Sequence, residues 1–180
     1  MTDFLPQGYD IPTQSSNYMK LQDGTNRFRV LASPIIGYEY WTEDSEGNRK
    51  PNRVPMDGKV PVAYAEETKH FWAMPVYDYA DDQIKILEIT QATIQKAIKA
   101  LVADEDWGSP LNYDLTVSRT GQKLETKYQV QPKPAKELDK GIVEAYKAMH
   151  IDLTALYRGE DPFASKEEQS VDVNDIPDDL

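Results

Sequence analysis

Two runs of carboxylates, Asp81-Asp82 and Asp104-Glu105-Asp106, have the type and spacing to hold a divalent cation for phosphoryl chemistry. The first falls between two alternating extended segments, where a hairpin turn is expected. The second follows the last residues of an amphipathic stripe, at a helix C-terminus. Solvated acids are ordinary in both places, so a carboxylate-metal nuclease is the weakest reading. The 180 residues include no cysteine and two histidines, His70 and His150. Disulfides, thiolate zinc sites, iron–sulfur clusters and thiol nucleophiles are thereby excluded, and little is left for a histidine metal site or a Ser-His-Asp triad. No P-loop, G-x-G-x-x-G, H-E-x-x-H or G-x-S-x-G pattern occurs. The expectation is a protein with no catalytic residue, no metal and no cofactor, with His70 a packed or surface residue.

Rings and cations offer a different chemistry. Tyr38, Tyr40 and Trp41 share one extended run, and Phe71, Trp72, Tyr77 and Tyr79 lie on a later one. Along His70–Tyr79 the Trp72/Met74/Val76 face matches Ile84 and Ile86 across a turn and is expected to be core. The other face carries Phe71, Tyr77 and Tyr79 beside Lys85. Arg27 and Arg29 share one side of an alternating strand, while Arg49, Lys50, Arg53 and Lys59 lie in a Pro/Asn/Gly-rich stretch. Residues 116–140 hold six cations (Arg119, Lys123, Lys127, Lys133, Lys136, Lys140) against three acids. Rings flanked by cations form a platform for single-stranded nucleic acid: bases stack for about 1–3 kcal/mol each, and cations follow the phosphates. Expected phosphate contacts are Arg27, Arg29, Arg49, Lys50, Arg53, Lys123 and Lys127, with Lys85 beside the rings; expected stacking residues are Tyr40, Trp41, Phe71, Tyr77 and Tyr79. The competing arrangement is a second buried layer, those rings being covered by helices or by the N-terminal arm.

The elements that must position these residues follow from periodicity. Residues 1–25 read as an extended arm. NRFRVLAS (Asn26–Ser33) alternates as a half-buried strand, Pro34 breaks it, and IIGYEYWT (Ile35–Thr42) resumes, with Gly37 a candidate bulge or bend. Residues 43–61 read as polar loop. His70–Tyr79 and Gln83–Thr90 make a hairpin around Ala80-Asp81-Asp82. Ile94, Ala97, Ile98, Leu101 and Val102 form one helical stripe, with Thr90 a plausible N-cap and Trp107-Gly108-Ser109-Pro110 the stop. Tyr113–Arg119 and Leu124–Gln131 form a second hairpin around Thr120-Gly121, with Tyr113/Leu115/Val117 and Leu124/Thr126/Tyr128/Val130 facing inward. A helix over Lys136–Met149 and a short turn near Asp152–Tyr157 follow. Three strands, a helix and two strands, the first strand long and bent, is the order of an OB-fold, a five-stranded barrel. A generic α+β sandwich has the same elements.

Charge is unevenly distributed. The net charge is −11, yet eight of the 31 acidic residues and one of the 20 basic ones lie between Gly159 and Leu180. GEDPFASKEEQSVDVNDIPDDL lacks a sustained apolar period and is expected to be an acidic flexible tail, disordered from about Ser165. The organisation expected is therefore arm 1–25, barrel domain 26–158 and tail 159–180. No apolar run reaches the roughly 18–20 residues of a membrane span, and the N-terminus lacks the pattern of a secretory signal. A soluble protein of the compartment that makes it is expected.

LQDGTNRFRVLASPIIGYEYW (Leu21–Trp41), KHFWAMPVYDYADDQIKILEITQ (Lys69–Gln91) and the DPF at Asp161–Phe163 resemble phage single-stranded DNA-binding proteins of the OB-fold, T4 gene-32-like kind. The likeness runs from about Asn17 to Phe163 and, with no cysteine present, is to zinc-free relatives. It implies sequence-independent binding of single-stranded DNA in phage replication, recombination or repair, in the cytoplasm of the host bacterium. Asp175-Ile176-Pro177-Asp178-Asp179-Leu180 is similar to the acidic tip of bacterial single-stranded DNA-binding proteins, ending in leucine rather than phenylalanine. That likeness implies docking of replication or recombination proteins and competition with DNA for the basic groove. The rival reading is an acidic protein-interaction module, a DNA mimic or virion component, whose rings form a protein interface.

Overall fold

A computed structural model of the chain describes residues 17–164 together with Phe4. In chain order the strands are β1 (Tyr18–Met19), β2 (Gly24–Val30), β3 (Ile35–Glu43), β4 (Arg49–Pro55), β5 (Lys69–Asp78), β6 (Gln83–Ile89), β7 (Leu115–Thr120) and β8 (Lys127–Pro132). Helix α1 (Ala92–Ala103) separates β6 from β7, and α2 (Lys140–Met149) follows β8.

β2 and β3 lie along the same edge of β5. Val30 pairs with Val76 and Ile35 with Ala73, so residues 31–34 span only residues 74–75 of the partner. Pro34, which cannot donate to a ladder, sits in this bulge, and the Leu31 amide bridges it by donating to the Pro75 carbonyl at 2.9 Å. One long strand is thereby bent where Pro34 breaks the pairing, as the sequence implies, and Gly37 is not the bend. Gly37 is instead a point of close approach: a Cβ there would collide with the Val54 carbonyl of β4.

The ladder runs β1-β6-β5-β2-β7-β8, with β3 pairing both β4 and β5. It is an open sheet: β6 and β8 are not paired, and β1 runs parallel to β6 along the edge that closure would need. The fold is mainly β with helices (α+β). Among the described residues no helix is long and apolar enough to cross a membrane.

β5 is covered on both faces, because each takes a separate apolar layer. Met74 and Val76 join Phe28, Val30, Leu87, Ile89, Leu115 and Val117 under Ile94 and Ile98 of α1. Phe71 and Ala73 join Ile86 under Leu156, from a 3₁₀ turn at Leu153–Arg158 capped by Asp152. Burying each large aliphatic or aromatic side chain stabilises by about 1.5–3 kcal/mol. Ile86 therefore faces Phe71, not Met74 as the alternation implies; Leu87 is the cross-strand partner of Met74.

Four further expectations are corrected. The polar stretch 43–61 contains β4, an edge strand in which Pro51 and Pro55 are tolerated because among the described residues β4 pairs with β3 alone. The arm contributes β1, and Phe163 packs on the second apolar layer. Leu124 does not face inward: Lys123–Glu125 form a 3₁₀ turn and Leu124 is fully exposed. Finally, α1 is preceded by Gln91 rather than capped by Thr90, and α2 starts at Lys140, where Asp139 accepts from the Gly141 amide at 2.7 Å.

Candidate nucleic-acid interface

At the C-terminal end of β5, four elements converge on one carboxylate. Asp114, completely buried, precedes β7, whose pairing with β2 sets Arg27 opposite Thr116. Its Oδ2 accepts from Arg27 Nε (3.0 Å) and Nη2 (2.8 Å), and its Oδ1 from Arg29 Nε (2.7 Å) and the Tyr79 hydroxyl (2.9 Å). Lys136 Nζ stands 3.5 Å from Oδ2. Burial alone would raise the Asp114 pKa, but donation from Arg27, Tyr79 and Arg29 outweighs it and the carboxyl titrates below the usual range. Tyr79 is pushed up to about 12, first by burial and then by its bond to Asp114.

The outer side of this cluster is open. The Arg27 side chain keeps 42% of its surface and Lys136 52%. Both cations stand over the Tyr79 ring, at 5.3 and 5.6 Å from its centroid. Tyr77 meets Tyr79 edge-on at 5.0 Å, and its hydroxyl donates to Asp82 Oδ1. A half-exposed ring with cations held against it can offer both a stacking surface and phosphate contacts.

The β3–β4 hairpin carries a second group. Its turn is fixed by Asp44, whose Oδ1 accepts from the Glu46 and Asn48 amides. Those bonds, the Asn48 amide foremost, lower the Asp44 pKa. Trp41 is 41% exposed, its Nε1 donates to Glu39 Oε1 at 3.0 Å, and the Arg49 guanidinium stands 5.5 Å from its ring centroid. Tyr40, on the opposite side of the strand, stacks on Tyr64 at 5.2 Å and 25°. Arg49 and Lys50 are exposed, as are Lys123 and Lys127 flanking the β7–β8 loop.

Three expected contact residues have no surface to offer, and a fourth has little. Phe71 lies at 0% exposure in the second apolar layer, the covered arrangement that the sequence left open. Arg29, at 1%, supports Asp114 and donates to the Lys136 carbonyl at 3.1 Å. Lys85 is buried between Asp78 and Asp81; burial lowers its pKa, and the two carboxylates more than reverse this. Arg53 is mostly buried, bridging Glu39 and Glu88 above Phe71. His70 is half-buried beside Tyr38, with Nδ1 2.9 Å from the Gly37 carbonyl. The six residues Asp175–Leu180 lie outside the described residues.

Sequence reasoning missed Asp114 and Tyr64. The signal for Asp114 was an acid beside the inward-facing Leu115, but its meaning depends on β2 pairing with β7, which juxtaposes it to two arginines. Among the described residues no group of three or more His, Cys, Asp or Glu could hold a metal ion.

No family model matches the chain, and no solved structure matches it. The chain is similar to the "Probable ssDNA-binding protein" of Escherichia phage T5, with 23% identity over 149 residues covering 63% of this chain. It spans about half, 54%, of that relative's length.

Proposed function

We propose that this chain is a non-enzymatic, sequence-independent single-stranded DNA-binding protein serving phage DNA replication, recombination or repair in the host cell cytoplasm. The observation that carries this reading is the pairing of accessible rings with cations: Trp41 under Arg49, and Tyr79 under Arg27 and Lys136. The likeness to the phage T5 protein supports the same ligand. Support for an OB-fold comes from connectivity: a long bent strand (β2–β3) pairs with both β5 and β7, and α1 lies between β6 and β7. A partly open five-stranded Greek-key barrel has such an order, and its loops between strands 1–2 and 4–5 contact oligonucleotides. On that reading the β3–β4 hairpin and the β7–β8 loop would correspond to those loops. The acidic tail would dock replication or recombination proteins.

Trp41, Trp72 and Trp107 provide the assay. Adding oligo(dT) at low salt should quench tryptophan emission, and Arg49→Ala/Lys50→Ala should flatten the slope of log K against log salt by about 1.4. Unchanged emission together with free migration of the oligonucleotide in a gel at low ionic strength would overturn the proposal. Mg²⁺-dependent cleavage of the oligonucleotide would overturn its non-enzymatic part.

A further inference from the structure

An apolar groove on the α1 face of the sheet takes no part in the proposed DNA contacts. Its cavity of about 240 Å³ is lined by Val30, Trp72, Met74, Ile98, Val102 and Leu111, among others. Val102 and Leu111 are 51% and 40% exposed, so the apolar lining continues onto the surface. By strand alternation this face is opposite the one bearing Arg29 and Tyr77.

The rim is acidic. Val102 and Ser109 line the groove, and the segment joining them contains Asp104, Glu105 and Asp106, all exposed. This turn is ordered: the Asp104 carbonyl accepts from the Trp107 and Gly108 amides, and its Oδ1 from the Asp106 amide at 2.8 Å. Lys99, one turn before Val102 on α1, opposes the three carboxylates, leaving an excess of negative charge.

We infer that this groove is a docking site for a segment of a partner protein, with apolar side chains flanked by Lys or Arg. The apolar lining selects aliphatic or aromatic anchors, and the carboxylates select cationic flanks while repelling phosphate. The same charge argues against the chain's own C-terminal segment, whose Ile176-Pro177 is flanked by Asp175, Asp178 and Asp179. The groove borders the Arg29–Asp114 cluster at Leu111, whose carbonyl accepts from Arg29 Nη1 at 3.4 Å, while its strand residues face the other side of the sheet, so partner and DNA would bind together.

A random peptide library displayed on a carrier and panned over the full-length chain tests this. Enriched peptides should carry an apolar core with Lys or Arg on its flanks. Val102→Asp should weaken them about tenfold or more, and the exposed Glu105→Lys/Asp106→Lys change, which keeps Asp104 and its turn, should do the same. Both variants should still be quenched by oligo(dT) as the parent is. That separates this site from the DNA reading, since either can fail alone. The inference is overturned by peptides without cationic flanks, by binding that neither variant weakens, by displacement of the peptide with oligo(dT), or by self-association of the chain that Val102→Asp abolishes.

Discussion

At the scale of single residues, Asp114 decides how two cations are presented. Its four hydrogen bonds leave Arg29 and the carboxylate wholly buried while Arg27 stays at the surface. Asp114→Ala removes the partner of a buried guanidinium and is expected to cost about 3–5 kcal/mol, measured by urea unfolding. The pH dependence follows from the lowered pKa of Asp114. As pH falls, the unfolded chain takes up this proton first, near the ordinary value of about 3.9. The stabilisation is therefore complete above about pH 4 and lost as pH falls through the lower folded value. Melts of the parent should show that acid-side loss, and Asp114→Asn should lack its share of it. Trp41→Ala makes a contrasting prediction. An exposed ring contributes little to the core, so the urea midpoint should hold, while oligo(dT) affinity falls by about 1–3 kcal/mol for one lost stack. An equal loss in both measurements would assign Trp41 to the fold instead.

At the scale of elements, what the sequence discloses depends on whether one strand or a pair carries the information. The inward Phe28 and Val30 of the Asn26–Ser33 strand, the apolar stripe of α1 and the Tyr113/Leu115/Val117 face are properties of single segments, and the structure has them, whereas Arg29, expected on the exposed side, is buried. β4 was hidden because RKPNRVP reads as loop; two prolines fit only where one edge goes unpaired. The rings on the far side of β5 were ambiguous for a related reason. Whether Phe71 stacks on bases or on Leu156 depends on a turn more than 80 residues away in sequence. The break at Pro34 is legible in the sequence, but Gly37 reads as a bulge or bend, because a glycine serves equally for a bend or for close packing. Gly37→Ala distinguishes these: the new methyl meets the Val54 carbonyl and forces β3 from β4. A loss of about 1–3 kcal/mol is expected, with weaker oligo(dT) binding as Trp41 and Arg49 lose their shared scaffold. A neutral outcome would place flexibility, not contact, at Gly37.

At the scale of the whole molecule, the proposed function asks a chain with net charge −11 to bind a polyanion, and the distribution of that charge is what would allow it. Asp114 is surrounded by three cations, and Lys85 is enclosed by two acids, so part of the charge is neutralised within the fold. Exposed Arg27, Lys136, Arg49, Lys50, Lys123 and Lys127 remain for phosphates. The C-terminal 22 residues carry a net −7, and under the proposed function a tethered anion would compete for those cations at the effective concentration its linkage sets. Deleting residues 167–180 removes six acids and no base. Oligo(dT) affinity should then rise at low salt, and the gain should shrink as added salt screens the competition within a Debye length of about 10 Å at 0.1 M. The intact chain should also show a shallower salt dependence than the truncated one, because salt weakens the competing segment as well as the DNA. If truncation leaves both affinity and slope unchanged at low ionic strength, the acidic end does not compete with DNA.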